Sequence, residues 1–275
     1  MGKLKSTHQE SDLAYDIPTC PICGENKRLM VDMCDKKWLM PRMCKCRREE
    51  IEKRDRVDKV REKQIRLQQI FTNSLMTKEF RSLSFSSWDH NIGSEFLYGI
   101  GHKYVKNFKS IKEKNIGLLI YGAPGSGKTF LSGCIANALI EDYTTVICIS
   151  AIGILERIKS SFTNYGDNGV SDILNSLSNA DLLILDDLGT ENNTSWSRST
   201  MYQIIDARYR SKKPLIVTTN LSLKELQGRY DEEGDMGRTY DRLVNEMCTP
   251  IESKWHSIRR EKGREKANIL REIIL

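Results

Sequence analysis

Two short stretches of this 275-residue chain hold residue types that could do phosphate chemistry. The first, "GAPGSGKT" (122–129), sets three glycines, a lysine and a threonine at the spacing G-x-x-x-x-G-K-T. Gly122, Gly125 and Gly127 let a backbone curl until its N–H groups converge, and the positive end of a following helix strengthens their pull on anions. Ala123, Pro124 and Ser126 complete the loop and Phe130 opens the helix behind it. Lys128 suits the β- and γ-phosphates of ATP, and the Thr129 hydroxyl suits Mg²⁺. The second stretch, "LLILDDLGTE" (182–191), runs from apolar residues into two adjacent carboxylates. A buried carboxylate is costly unless a cation meets it, so a cation is expected at Asp186: the Mg²⁺ of a bound triphosphate, opposite Lys128 and Thr129. Asp187 is then expected to orient or deprotonate the attacking water. Its side chain is one methylene shorter than the Glu that often does this, which predicts slow hydrolysis. Aspartate is also a common turn former, so a plain capped turn at "DLGTENN" is the other reading.

Further residues extend the pattern. "IVTTN" ends in Asn220, whose amide could hold a γ-phosphate or the water, although alone it would read as a turn. Arg238, Arg242 and Arg259 follow, and a guanidinium delivered to a γ-phosphate by a neighbouring subunit is worth about 10³–10⁵ in rate. Near the N-terminus, "CPIC" and "CKC" place Cys20, Cys23, Cys44 and Cys46 on two tight turns, a donor set for tetrahedral Zn²⁺, with Cys34 as a possible fifth candidate. A segment this short cannot build a core unaided, so metal would supply its folding energy. The other cysteines, Cys134, Cys148 and Cys248, sit in apolar surroundings and read as core residues. The four histidines show no ligand spacing, and no protease or esterase motif is present.

These residues need a scaffold. Apolar β-type runs at "IGLLIYG" (116–122), "TTVICIS" (144–150), "DLLILDD" (181–187) and "KPLIVTTN" (213–220) alternate with helical spacing, which predicts an α/β fold: a P-loop three-layer architecture with a parallel sheet flanked by helices. Residues 1–46 form the expected zinc-binding module, 47–79 a charged linker and connector, and 80–275 the ATPase domain. The stretch 47–70 has only a thin apolar stripe at Val57, Val60 and Leu67, which predicts a solvent-exposed connecting helix. With 43 Lys+Arg against 37 Asp+Glu, the net charge of +6 permits a nucleic-acid partner without demanding one. No apolar stretch reaches the roughly 20 residues of a membrane span, and the N-terminal residues lack a signal-peptide core, so a cytoplasmic protein without membrane contact is expected.

Taken together, "YGAPGSGKT", "LLILDDLGTE", "RYRSKKPLIVTTNLSLKEL", "GRTYDRL" and "SIRREK" resemble the DnaC/DnaI-type bacterial and phage helicase loaders, AAA+ ATPases related to IstB and DnaA. The resemblance covers about residues 70–275. It implies that Asn220 is the sensor 1 asparagine, Arg242 the arginine finger with Arg238 as the fallback, and Arg259 the sensor 2 arginine. It also implies a loader that binds a hexameric DnaB-type replicative helicase, helps deliver it onto single-stranded DNA and self-associates through the ATPase domain with ATP. The cysteine segment resembles the zinc-binding module of DnaI-like loaders, which docks on the helicase. Two other readings share the ATPase core: an IstB-type transposition helper, and an adaptor that keeps ATP as a structural ligand without hydrolysing it.

Overall fold

The computed structural model describes residues 17–33, 36–70, 78–230 and 237–274. Cys34 lies outside them. The chain divides into two compact units that meet after Lys59, inside a long helix.

The first unit is a hairpin of β1 (Arg28–Met33) and β2 (Lys36–Pro41), between a cysteine turn and the start of α1 (Lys45–Ile70). Leu29 pairs with Met40 and Val31 with Trp38, so the four share one face. That face is thinly covered: Trp38 is 55% exposed and Leu29 and Met40 48% each. Among its described residues the hairpin has no deep apolar core of its own, as expected for a segment that needs a further staple.

In the second unit a five-stranded sheet runs in the order β4-β5-β6-β3-β7. Its strands are β3 (Gly117–Gly122), β4 (Val146–Ser150), β5 (Leu182–Leu188), β6 (Leu215–Thr219) and β7 (Cys248–Ser253), and all pair in parallel. The sheet is covered on both faces, which is why its strands read as unbroken apolar runs. Alternate side chains feed two layers. Leu183 and Leu185 join Leu119, Ile147, Ile149 and Val217 on one side, while Leu182 and Ile184 join Leu118, Ile120, Cys148 and Ile216 on the other. The first layer is closed by α6 (Ala151–Asn179) and α7 (Ser195–Arg210) through Ile154, Ile158, Met201 and Ile205. The second is closed by α3 (Glu95–Lys106) and α5 (Lys128–Glu141) through Leu97, Tyr104, Leu131 and Ile135. Each such buried side chain contributes about 1.5–3 kcal/mol, ample to hold a rigid sheet whose strand ends then present fixed positions. Cys134, Cys148 and Cys248 are buried in these layers, as expected. Shorter helices α2 (Lys78–Arg81), α4 (Phe108–Glu113), α8 (Leu223–Tyr230) and α9 (Arg238–Asp241) connect the layers, and α10 (Ile258–Ile274) follows β7.

The helix expected to be solvent-exposed is so over most of its described side chains, and the expectation is corrected at its C-terminal turns. Gln64 and Leu67 are each only 6% exposed. Strand β4 is an edge, so its outward N–H and C=O groups need partners. The Gln64 amide supplies them, donating to Val146 O and accepting from Val146 N, both at 2.9 Å. Sequence periodicity missed this because the buried contact is a polar side chain acting as a strand substitute.

Candidate functional site

The carboxyl ends of β3, β5 and β6 meet at one cavity of about 630 Å³. The loop after β3 bends through positive φ at Gly122, Gly125 and Gly127 (+139°, +82° and +92°), a path side chains resist. A Cβ at Gly125 would lie 2.4 Å from Ser257 Oγ, so the glycine also lets the segment before α10 close on the loop. Ile258 N donates to Gly125 O at 3.0 Å, and Trp255 Nε1 donates to Ile92 O at 2.8 Å. These two bonds hold the start of α10 and the segment before it against the cavity. Lys128 is the first residue of α5 and almost fully buried, its ammonium donating to Gly122 O and Ala123 O at 2.8 Å each. Burial pulls its pKa down, the Asp187 and Asp186 carboxylates oppose this, and the Arg259 charge adds to it.

Asp186 is 2% exposed. Among the described residues no cation lies within ion-pair distance of it, although the charge of Lys128 acts on it. Thr218 Oγ1 donates to its Oδ1 at 2.6 Å, and Thr129 Oγ1 reaches its two oxygens at 3.1 and 3.0 Å. Burial is the main influence on Asp186 and, with the neighbouring Asp187 charge, pushes its carboxyl above the usual range, the two hydroxyls opposing. Hydroxyl bonds only partly offset a buried charge, so the donor set of Thr129 and Asp186, hard oxygens beside a phosphate loop, fits Mg²⁺.

Asp187 departs from the strand. The β5–β6 pairing slips between Leu185 and Leu188, and Asp187 has φ +54°, a left-handed backbone that aspartate tolerates better than most residues. Its N–H donates to Thr218 Oγ1 at 2.9 Å, and its carbonyl accepts from Thr190 Oγ1 at 2.7 Å. The turn reading is thus right for the backbone, yet the side chain faces the cavity and accepts from Asn220 Nδ2 at 3.3 Å. Behind the turn, buried Glu191 accepts from Gly189 N and Tyr230 OH and pairs with Arg229 of α8, fixing the loop.

The structure brings Lys128, Thr129, Asp187, Asn220 and Arg259 together at this cavity, with Pro124, Gly125, Gly127 and Phe130 in its wall. It does not bring Arg238 or Arg242 there. Arg238 is exposed at the start of α9. Arg242 begins a π-helical turn (Arg242–Met247) and packs on α7, where it pairs with Asp206 and lies 5.2 and 5.1 Å from the ring centres of Tyr202 and Tyr209. Sequence reasoning missed the opposite wall of the cavity: Ser87, Trp88, Asp89, Ile92 and Gly93, with Trp88 edge-on to Phe130 at 5.5 Å. "SFSSWDHNIG" offers no motif to find it by. It also missed Thr218, whose only signal was a pair of threonines ending an otherwise apolar strand.

In the first unit, the sulfurs of Cys20, Cys23, Cys44 and Cys46 all lie within 4.8 Å of one another. Cys20 to Cys46 is 3.5 Å and Cys44 to Cys46 is 3.4 Å, close to the ~3.8 Å edge of a tetrahedron with Zn–S bonds of about 2.3 Å. Backbone N–H groups of Cys23 and Ile22 lower the Cys20 thiol to about 6, while the Cys44 sulfur pushes Cys46 up. The four-thiol set is compatible with zinc.

A family model described as IstB-like ATP binding protein matches residues 44–267. The chain belongs to that family. Within reach of it, the chain is homologous to the replicative helicase loader DnaC of Escherichia coli (strain K12), 28% identical over 204 residues that cover 73% of this chain and 79% of that protein. The crystal structure of DnaI superposes with a TM-score of 0.52 at 24% identity, over 65% of this chain and 95% of DnaI. The replication initiator DnaA bound to AMPPCP and single-stranded DNA gives 0.52 at 20%, over 70% of this chain and 56% of DnaA. At these identities the structural likeness speaks for the fold, and it bears out the AAA+ architecture expected for this member of the IstB-like family. No helix among the described residues is long and apolar enough to cross a membrane.

Proposed function

We propose that this chain is an ATP-dependent loader for a DnaB-type replicative helicase, delivering it onto single-stranded DNA with slow Mg²⁺-dependent ATP hydrolysis. The observation that carries the nucleotide part is the single cavity where Lys128, Asp187, Asn220 and Arg259 converge on a phosphate loop. Kinship with DnaC supports the loader part. In this reading Lys128 exchanges the carbonyls of Gly122 and Ala123 for β- and γ-phosphate oxygens. Thr129 and Asp186 hold Mg²⁺, which supplies charge neutralisation at the phosphates. Asp187 orients the attacking water or takes its proton, and Asn220 holds both the Asp187 carboxylate and the γ-phosphate side. Arg259 contacts the phosphates from its own chain. Arg242, or failing it Arg238, serves the cavity of a neighbouring copy, so ATP promotes self-association. Residues 1–46 form a helicase-docking module in which Cys20, Cys23, Cys44 and Cys46 hold Zn²⁺; 47–79 connect it to the ATPase domain, 80–275.

The deciding experiment is co-purification with the replicative helicase, with and without ATP and magnesium. Capture that depends on ATP and is lost in Lys128→Ala supports the loader. The family match favours a second reading, a transposition helper, and capture of a transposase with no helicase would establish that one instead. If Asp187→Asn abolishes hydrolysis yet leaves loading intact, the chain is an adaptor that needs only bound ATP. Mixing Arg242→Ala with Lys128→Ala chains should recover some hydrolysis, and no recovery at any ratio would rule out a shared site.

A further inference from the structure

Helix α10 brings to the cavity more cations than the Arg259 to which the family resemblance gives a role. Five residues of α10 line it, Ile258, Arg259, Lys262, Gly263 and Lys266, and the last four, spaced i, i+3, i+4, i+7, share a single helical face. Three of the four are cations. Among the described residues none of the three has a carboxylate within ion-pair distance, although the same helix carries Glu261 and Glu265; Glu261 pairs instead with His256. The carboxylates in the cavity wall are Asp89 and Asp187. Lys128 lines the same cavity, and the Arg259 charge acts on it as a repulsion that Asp187 and Asp186 oppose. Four cations against two carboxylates leave the concavity net positive, a setting that favours an anion in it. The fourth lining residue is a glycine inside an exposed helix, where alanine would serve the helix better. A Cβ at Gly263 would meet nothing within 4 Å, so the position leaves open space between the cationic side chains.

We propose that Lys262 and Lys266 bind the polyphosphate of the nucleotide, so that with Arg259 they make one face of α10 a reader of phosphate charge, Gly263 leaving room for the ligand between them. The inference rests on the nucleotide reading of the cavity and adds two binding residues to it. Because the phosphate count sets the attraction, a triphosphate should draw Lys262 and Lys266 harder than a diphosphate.

The test is calorimetric titration of the purified full chain with ATPγS and ADP, each with magnesium, at two salt concentrations. Lys262→Gln/Lys266→Gln should weaken ATPγS about tenfold, equivalent to about 1.4 kcal/mol, weaken ADP less, and flatten the salt dependence. Lys262→Arg/Lys266→Arg should retain most of the affinity. Arg264→Gln, on the same helix but off the cavity, should change nothing. Gly263→Leu should melt no lower than wild type without ligand and lose ATPγS binding, since the new side chain fills the open space. Unchanged affinity in the double glutamine variant, an equal loss in Arg264→Gln, or wild-type binding by Gly263→Leu would overturn the proposal while leaving the nucleotide site standing. So would a double glutamine variant that loses single-stranded DNA but keeps nucleotide. If the wild-type chain takes up neither nucleotide, the reading of the cavity falls, and this inference with it.

Discussion

At the scale of single residues, the two aspartates ending β5 have opposite situations. Asp186 is enclosed and bonded to two threonine hydroxyls, whereas Asp187 is turned by its left-handed backbone toward open cavity. Because burial raises the Asp186 pKa, the fold favours its neutral form and the ionised carboxylate destabilises the nucleotide-free protein at pH 7. Asp186→Asn should therefore raise the melting temperature of that protein by a few degrees, about 2–4 °C per kcal/mol for a domain of this size. The gain should fade as pH falls through the raised carboxyl pKa toward the ordinary carboxylate range, where the wild-type group is neutral in both states. The same variant should lose the magnesium-dependent stabilisation by ATPγS, read in the same melts. Lys128, Thr129 and Asp186 were legible in the sequence because a phosphate loop and an acidic strand end have one chemical purpose. Thr218 was not, because its role is to hold Asp186 and the Asp187 backbone from the next strand, a relation that only pairing across the sheet reveals.

At the scale of elements, four of the five strands of the sheet were readable as apolar runs, since a strand covered on both faces has no polar side to interrupt it. Strand β7, "CTPIES", was not: it lies at the sheet edge, where Thr249, Pro250 and Glu252 are tolerated. The N-terminal hairpin escaped for the opposite reason, its apolar side chains being scattered over a unit with little interior. Arg208 shows how the elements are fastened. It is 1% exposed, and its guanidinium donates to the carbonyls of Leu177, Ala180, Asp181 and Pro214, joining the end of α6 to the starts of β5 and β6. Arg208→Ala strands those carbonyls together, so urea unfolding should show a loss of about 3–5 kcal/mol. Nucleotide affinity, measured where the variant is still folded, should change little, because these bonds lie at the amino ends of the strands and the cavity at the carboxyl ends.

At the scale of the whole molecule, the chain pairs a sheet domain that folds on its own apolar layers with a cysteine unit that lacks them. Zinc analysis should find about one ion per chain. Cys20→Ser/Cys23→Ser or a strong chelator should remove it and expose residues 17–46 to proteolysis, while the melting of the sheet domain stays put; loss of the cooperative melt of both units would contradict their independence. Gln64 carries a last consequence. By occupying one rung of the outer margin of β4, it removes that rung as a pairing site for a strand of another molecule. Gln64→Ala should leave ATP turnover near wild type yet increase light scattering on storage, because a bare backbone rung is then offered to any passing chain.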